Sequence, residues 1–295
     1  MSKRAKHEAR MFWIFASPWI IGFLVFLAGP MIFSVYISLT EWDSFNPPVF
    51  VGLDNFVRLF TDYPLFWRAV GQTFLYAVLA VPTTLAIGVF LANLLNKRIK
   101  FRRFFRTMVY LPVLVPLVAT AMVFMMVLAP SGPVNQFLGL FGIDGPHWLL
   151  DPTWVIPAIV MLALWAAGGA TILLLSAMNG IPKEFYEAAE IDGAGPMRQF
   201  WSITFPQITP IIFFNLIMGM IGAFQVFGQV FILTGGGPDN ASMMMVPLLF
   251  REGFQFFRFG LASAMAWVLF VIIMIFTALA FKTSKRWVFY ETEVK

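Results

Sequence analysis

The sequence contains no cysteine, only two histidines, and 12% charged residues among its 295. Without cysteine there is no disulfide, no thiol nucleophile and no cysteine-ligated metal. Charge at half the roughly 25% usual for soluble domains cannot give a polar surface to the one or two soluble domains this length suggests. The net charge of +5 does not indicate a nucleic-acid binder, because the basic residues are few and form no patch on a soluble module. No G-x-x-x-x-G-K-[ST] loop occurs, so the chain has no such phosphate cradle, and energy for its work must come from a partner. The ten-residue alternation of a membrane β-barrel is also absent.

What is present is apolar: 60% hydrophobic residues, with Phe alone at 35 positions. Stretches free of Asp, Glu, Lys and Arg run over 11–40, 69–96, 107–143, 152–182, 199–238 and 261–281, the last extended by Phe259 and Gly260. Each reaches the roughly 20 residues that cross about 30 Å of hydrocarbon as a helix. The expectation is an all-α integral membrane protein with six transmembrane helices. It comprises a tail at 1–10, one transmembrane domain over 11–281, and a second tail at 282–295. The first apolar run is too long for a cleaved signal peptide and reads as a retained helix. Pro18, Pro30, Pro82, Pro112, Pro116, Pro157 and Pro210 fall in or near these stretches and read as kinks.

Basic residues set the expected orientation. Lys3, Arg4, Lys6 and Arg10 precede the first span. Lys97, Arg98, Lys100, Arg102, Arg103 and Arg106 follow the second, Lys183 and Arg198 follow the fourth, and Lys282, Lys285, Arg286 and Lys295 follow the sixth. These sixteen share one side, and only Arg58, Arg68, Arg251 and Arg258 lie on the other. Both termini are therefore expected in the cytoplasm. The 97–106 cluster also suits anionic lipid. His7 and His147 lie outside the spans, and no span holds a carboxylate, Lys, Arg or His. That argues against proton coupling and against acid–base or metal chemistry within the membrane.

The loop at 179–206, NGIPKEFYEAAEIDGAGPMRQFWSITFP, is the most informative segment. Pro182 suits a first helical turn and Glu184 favours the positive helix end. Phe185, Ala188, Ala189 and Asp192 share a face by their i, i+3, i+4, i+7 spacing. The helix should stop near Gly193, with a turn at Gly195-Pro196 and a second short helix from Met197 toward Pro206. From composition, this is either a solvated amphipathic loop or a packed helical elbow.

The segment resembles the E-A-A-x3-G-x9-I-x-L-P signature of permease subunits of binding-protein-dependent ABC importers. Glu187, Ala188, Ala189, Gly193, Ile203 and Pro206 match at that spacing, with Phe205 where Leu is usual. Ile181-Pro182-Lys183-Glu184, Val51-Gly52-Leu53-Asp54-Asn55-Phe56 and Leu233-Thr234-Gly235-Gly236-Gly237-Pro238 also resemble the carbohydrate branch, nearer the first of its two permeases, the maltose- or glycerol-phosphate-type subunit. Gln72-Thr73 departs from the family's usual Asn-Thr.

The resemblance implies a type I ABC importer permease fold in a prokaryotic inner membrane, with the 179–206 elbow as a coupling helix seated on an ATPase. Glu187, Ala188, Ala189, Asp192, Gly193, Ile203 and Pro206 would be its coupling residues. The implied partners are a second permease in a heterodimer, two copies of a cytoplasmic ATPase and an external solute-binding protein. Membrane lipid surrounds the chain. ATP and Mg would bind the ATPase, leaving this chain without a cofactor or catalytic residues. The implied cargo is a sugar or oligosaccharide. A non-sugar solute such as glycerol phosphate, an amino acid or a peptide is the alternative, followed by a passive channel or an intramembrane enzyme.

A sugar path needs hydrogen bonds and aromatic faces without charge. In the fifth span Asn215, Gly219, Gly222, Gln225 and Gln229 fall within roughly a 120° arc if the helix is continuous. They are candidate path residues, or else close-packing residues between helices. Gln72 and Tyr76 in the second span and Trp165 in the fourth are further candidates. The Gly235–Pro238 run reads as an external turn near a docking surface, and 54–60 as a short interfacial helix with Phe56, Val57 and Phe60 on one side.

Overall fold

The computed structural model describes residues 3–97 and 99–289. Arg98 and Lys295, both counted in the expected orientation, lie outside the described residues. The chain forms two compact units. One comprises the residues up to Pro64 with Leu249–Val268, and the other Leu65–Leu248 with the residues from Leu269 onward.

In the first unit, α1 (Lys3–Phe23) passes through a π turn at Leu24–Ala28 into α2 (Gly29–Ser38). The widened turn directly precedes Gly29-Pro30, where proline has no N–H to continue the ladder. A two-residue hairpin, β1 (Thr40–Glu41) with β2 (Val49–Phe50), leads to α3 (Asp54–Thr61). The α3 helix buries Asn55 and Leu59 and leaves Val57 and Phe60 exposed. Asn55 donates to the carbonyls of Ser38 (3.0 Å) and Thr40 (2.8 Å), pinning the end of the first span. Glu252 is the one buried charge among the described residues. The Tyr63 hydroxyl donates to it at 2.5 Å and Arg258 at 3.1 Å. Burial, then the hydrogen bond to the Glu252 carboxylate, pushes the Tyr63 phenol up to about 12.

In the second unit, α4 (Pro64–Asn96) is unbroken through Pro82. The third apolar stretch, expected as one kinked span, is instead α5 (Arg102–Leu114) and α6 (Leu117–Val127), meeting at 99°. Val115 is held extended ahead of Pro116, as proline demands of its predecessor, and that ends the helix. The remainder of that stretch forms a separate helix, α7 (Pro133–Gly139). The fourth stretch is also a bent pair, α8 (Val155–Trp165) and α9 (Gly168–Asn179), at 46°. Four helices can each cross a membrane alone, and there are six spans when each bent pair counts as one.

After α10 (Lys183–Ile191) comes α11 (Pro196–Gln199), which runs through a π turn at Phe200–Thr204 into α12 (Phe205–Phe224). The expected second short helix of the elbow is therefore the foot of the fifth span. The widened turn falls just before Pro206, whose missing N–H cannot hold a regular ladder. The fifth span is also shorter than its charge-free stretch. It stops at Gln225, and α13 (Gly228–Leu233) is a separate helix. Then follow α14 (Met245–Phe250), a π turn at Arg251–Gln255 and α15 (Phe259–Ser284).

Around Leu174, Leu175 and Met178 of α9 the core gathers Ala92, Leu95 and Ile208. Gly168 starts α9 against α5 so closely that a Cβ there would lie 2.0 Å from the Val109 carbonyl oxygen. Gly168→Ala should therefore force backbone to move. A lower Tm in detergent and reduced membrane yield are expected, for overpacking of about 1–3 kcal/mol. Wild-type yield and Tm would refute that close approach.

Candidate functional site

The α10 helix buries none of its side chains in this chain. Asp192 ends it, and Gly193 follows at φ +74°, the left-handed conformation that lets the backbone turn back. The Ala194 N–H reaches the Ala189 carbonyl at 2.8 Å and the Gly193 N–H reaches Glu190 at 3.0 Å, closing the helix end. No atom lies within 4 Å of a Cβ built on Gly193, so it is the backbone angle, not crowding, that calls for glycine. Two bonds fix the elbow to the foot of the fifth span. Tyr186 Oη meets Thr204 Oγ1 at 2.9 Å, and Gln199 Nε2 donates to the Ala194 carbonyl at 3.1 Å. The arrangement observed is a helical elbow hydrogen-bonded to the fifth span, with none of the side chains of α10 buried.

The coupling candidates separate into two places. Glu187, Ala188, Ala189, Asp192 and Gly193 occupy the elbow, where Glu187 is exposed and has no hydrogen bond or ion pair among the described residues. Ile203 and Pro206 are half-buried in the π turn and first turn of the long helix. Ile191 (88% exposed) and Met197 (71%) lie on the same elbow. Apolar side chains this exposed beside an unpaired carboxylate make a surface suited to another protein.

A cavity of ≈ 350 Å³ opens among α4, α8, α9, α12 and α13. Its polar groups are Tyr76 and Thr84 from α4, Asn215 from α12 and Gln229 from α13. Asn215 gives its amide to the Ile211 carbonyl at 2.8 Å, which leaves its carbonyl oxygen to accept. The Tyr76 hydroxyl, Thr84 hydroxyl and Gln229 amide make no hydrogen bond among the described residues. The rest of the wall is small or apolar, including Ala163, Ala166, Ala170, Gly219 and Gly222, and it carries no acidic or basic side chain. Such a space offers hydroxyl, phenol and amide groups to an uncharged polar ligand.

Of the expected path residues, the structure brings Tyr76, Asn215, Gly219, Gly222 and Gln229 together. It separates the other three. Gln225 follows the end of α12, so the continuous arc fails there, and its exposed side chain does not line the cavity. Gln72 also stays outside it. Trp165 stacks edge-on to Phe124 at 6.1 Å between centroids instead. Beside Gln72, the Thr73 hydroxyl donates to Ala69 and accepts the Met245 N–H at 3.0 Å, a structural role. The two glycines also differ. A Cβ on Gly219 would meet Val81 at 3.4 Å, in keeping with helix packing, whereas Gly222 has nothing within 4 Å. Thr84 and the alanines of α8 and α9 were not singled out in the sequence. The small-residue spacing of Ala163, Ala166 and Ala170 is a sequence signal that could have found them.

Residues 84–287, which hold the elbow and most of this cavity, match the family described as binding-protein-dependent transport system inner membrane component. The chain belongs to this family of permeases. It is 38% identical over 283 residues to the probable ABC transporter permease protein YesP of Bacillus subtilis, covering 95% of this chain and 92% of that one. With the lactose transport system permease protein LacF of Rhizobium radiobacter it shares 32% over 281 residues, covering 93% and 94%. Among solved structures, it superposes on a chain of a bacterial alginate ABC transporter in complex with an alginate pentasaccharide-bound periplasmic protein. The TM-score there is 0.84 at 27% identity, with 96% of both chains covered. The permease is thus a multi-pass membrane protein with the type I ABC importer fold.

Proposed function

We propose that this permease is one transmembrane half of an ATP-driven importer that moves a sugar or oligosaccharide delivered by an external binding protein. The observation that carries the substrate class is the ≈ 350 Å³ cavity with its unpaired hydroxyl, phenol and amide groups and no acidic or basic side chain. The names of the sugar-transporting relatives support the same class. Tyr76, Thr84, Asn215 and Gln229 would hydrogen-bond the hydroxyls, Tyr76 through its phenol oxygen because its ring is buried.

In this reading both termini and the elbow lie in the cytoplasm. A second permease completes the cavity across a pseudo-twofold axis, and two ATPase copies bind ATP and Mg. Glu187 gives the ATPase a charge-assisted contact. Closure of the ATPases draws the elbows together. Because Tyr186 and Gln199 tie the elbow to the fifth span, that span moves with it as a packed body.

The test is ATPase activity of the complete importer reconstituted with its binding protein, across mono-, di- and oligosaccharides and glycerol phosphates. Stimulation by a saccharide is expected. Stimulation by an amino acid or peptide alone would overturn the substrate class.

A further inference from the structure

On another side of α4 lies a larger groove of ≈ 680 Å³. Its walls are Pro82, Ala86 and Phe90 of α4 with Phe205, Ile212 and Leu216 of α12. Asn93, Lys97, Met197 and Trp201 form one end of it, and Lys97 is the only charge on its lining. At 100° per residue, the α4 positions 82, 86, 90 and 93 centre roughly 120° away from 76, 80 and 84, which line the polar cavity. The groove therefore opens on a different face of α4 from the polar cavity, with Leu85 shared by the two linings.

We propose that this groove binds one anionic glycerophospholipid from the leaflet on the elbow side. Three observations fit that occupant. From Pro82 to Asn93 the helix rises roughly 16 Å, about half of the roughly 30 Å of hydrocarbon and thus one acyl layer. Polarity is confined to one end, where Trp201, 58% exposed, is a side chain suited to the membrane–water interface. The lining charge at that end is a cation, and the exposed Lys100 and Arg103 follow it in the chain, so an anionic headgroup is favoured over a zwitterionic one.

A lipid seated here touches the elbow directly, because Met197, Phe200 and Trp201 belong to the turn joining the elbow to the fifth span. It packs on the same helical turn that the Tyr186–Thr204 bond ties to the elbow. The functional part of this inference rests on the elbow acting as the coupling element. Lipid retention does not rest on it, so the two can fail separately.

The experiment uses the complete importer in nanodiscs of phosphatidylcholine with or without phosphatidylglycerol. Native mass spectrometry should find one phosphatidylglycerol retained by this chain. Lys97→Gln should weaken retention about fivefold. Ala86→Trp, placed at an exposed position so that folding is kept, should fill the groove and abolish it. Substrate-stimulated ATPase should rise with phosphatidylglycerol in the wild type and not in Ala86→Trp. Equal retention in wild type and both variants would overturn the site. So would an efficient disulfide between Phe90→Cys of this cysteine-free chain and a cysteine placed in the second permease, since the groove would then be a protein interface.

Discussion

Gly193→Val should abolish uptake while leaving membrane insertion and yield unchanged. Gly193 sits at φ +74°, where a side chain costs roughly 1–2 kcal/mol and a β-branched one is a true outlier. The Val variant is expected to leave that conformation, break the Ala194–Ala189 bond, and send the chain out of the elbow in another direction. Gly193→Asn, which tolerates the left-handed region, should keep most activity, since no atom lies within 4 Å to clash with it. Glu187→Lys should match the Val variant in effect for a different reason: it reverses the charge that the elbow would offer the proposed ATPase partner. Uptake in cells, normalised to permease in the membrane, measures all three. Near-normal transport by Gly193→Val or Glu187→Lys would sink the coupling role. An inactive Gly193→Asn would place the need for glycine in contact with a partner and not in the backbone angle.

Gly222→Trp should block translocation with the complex intact. The position lines the cavity and has open space where a Cβ would stand, so the side chain grows into the path without displacing a neighbour. A loss of roughly 10- to 200-fold or more in uptake is expected, the range in which small changes of pocket shape act. Basal ATPase and copurification of partners should persist. Gln229→Ala should impair transport and Gln225→Ala should leave it close to wild type, because only the former lines the cavity. An equal loss in both glutamine variants would mean that the fifth span continues past Phe224 in the working protein. Full transport by Gly222→Trp would remove the cavity from the sugar path.

Much of the elbow was legible because its determinants are local. The run from Pro182 through Gly193 has its own start, periodic face and stop, and the structure keeps each within a residue or so. Its second helix was not legible as part of a span. Charge counting puts Arg198 outside the membrane, yet the helix runs on through it, and only backbone geometry shows the π turn before Pro206. The same limit explains the third span. Pro112 and Pro116 announce a disturbance, but a kink and a 99° break share one sequence pattern, and packing of the two pieces decides between them.

The sequence by itself determined that this is a membrane protein, where its apolar stretches lie, and that none of them carries an acidic or basic group. Charge in hydrocarbon is so unfavourable that its absence is written directly into the chain. Only the tertiary structure decided which uncharged residues share the cavity. Amides, glycines and alanines are equally suited to packing and to lining a cavity, and their role depends on what stands opposite. Gly219 faces Val81 and Gly222 faces open space, although both lie on α12 and both read alike in the sequence.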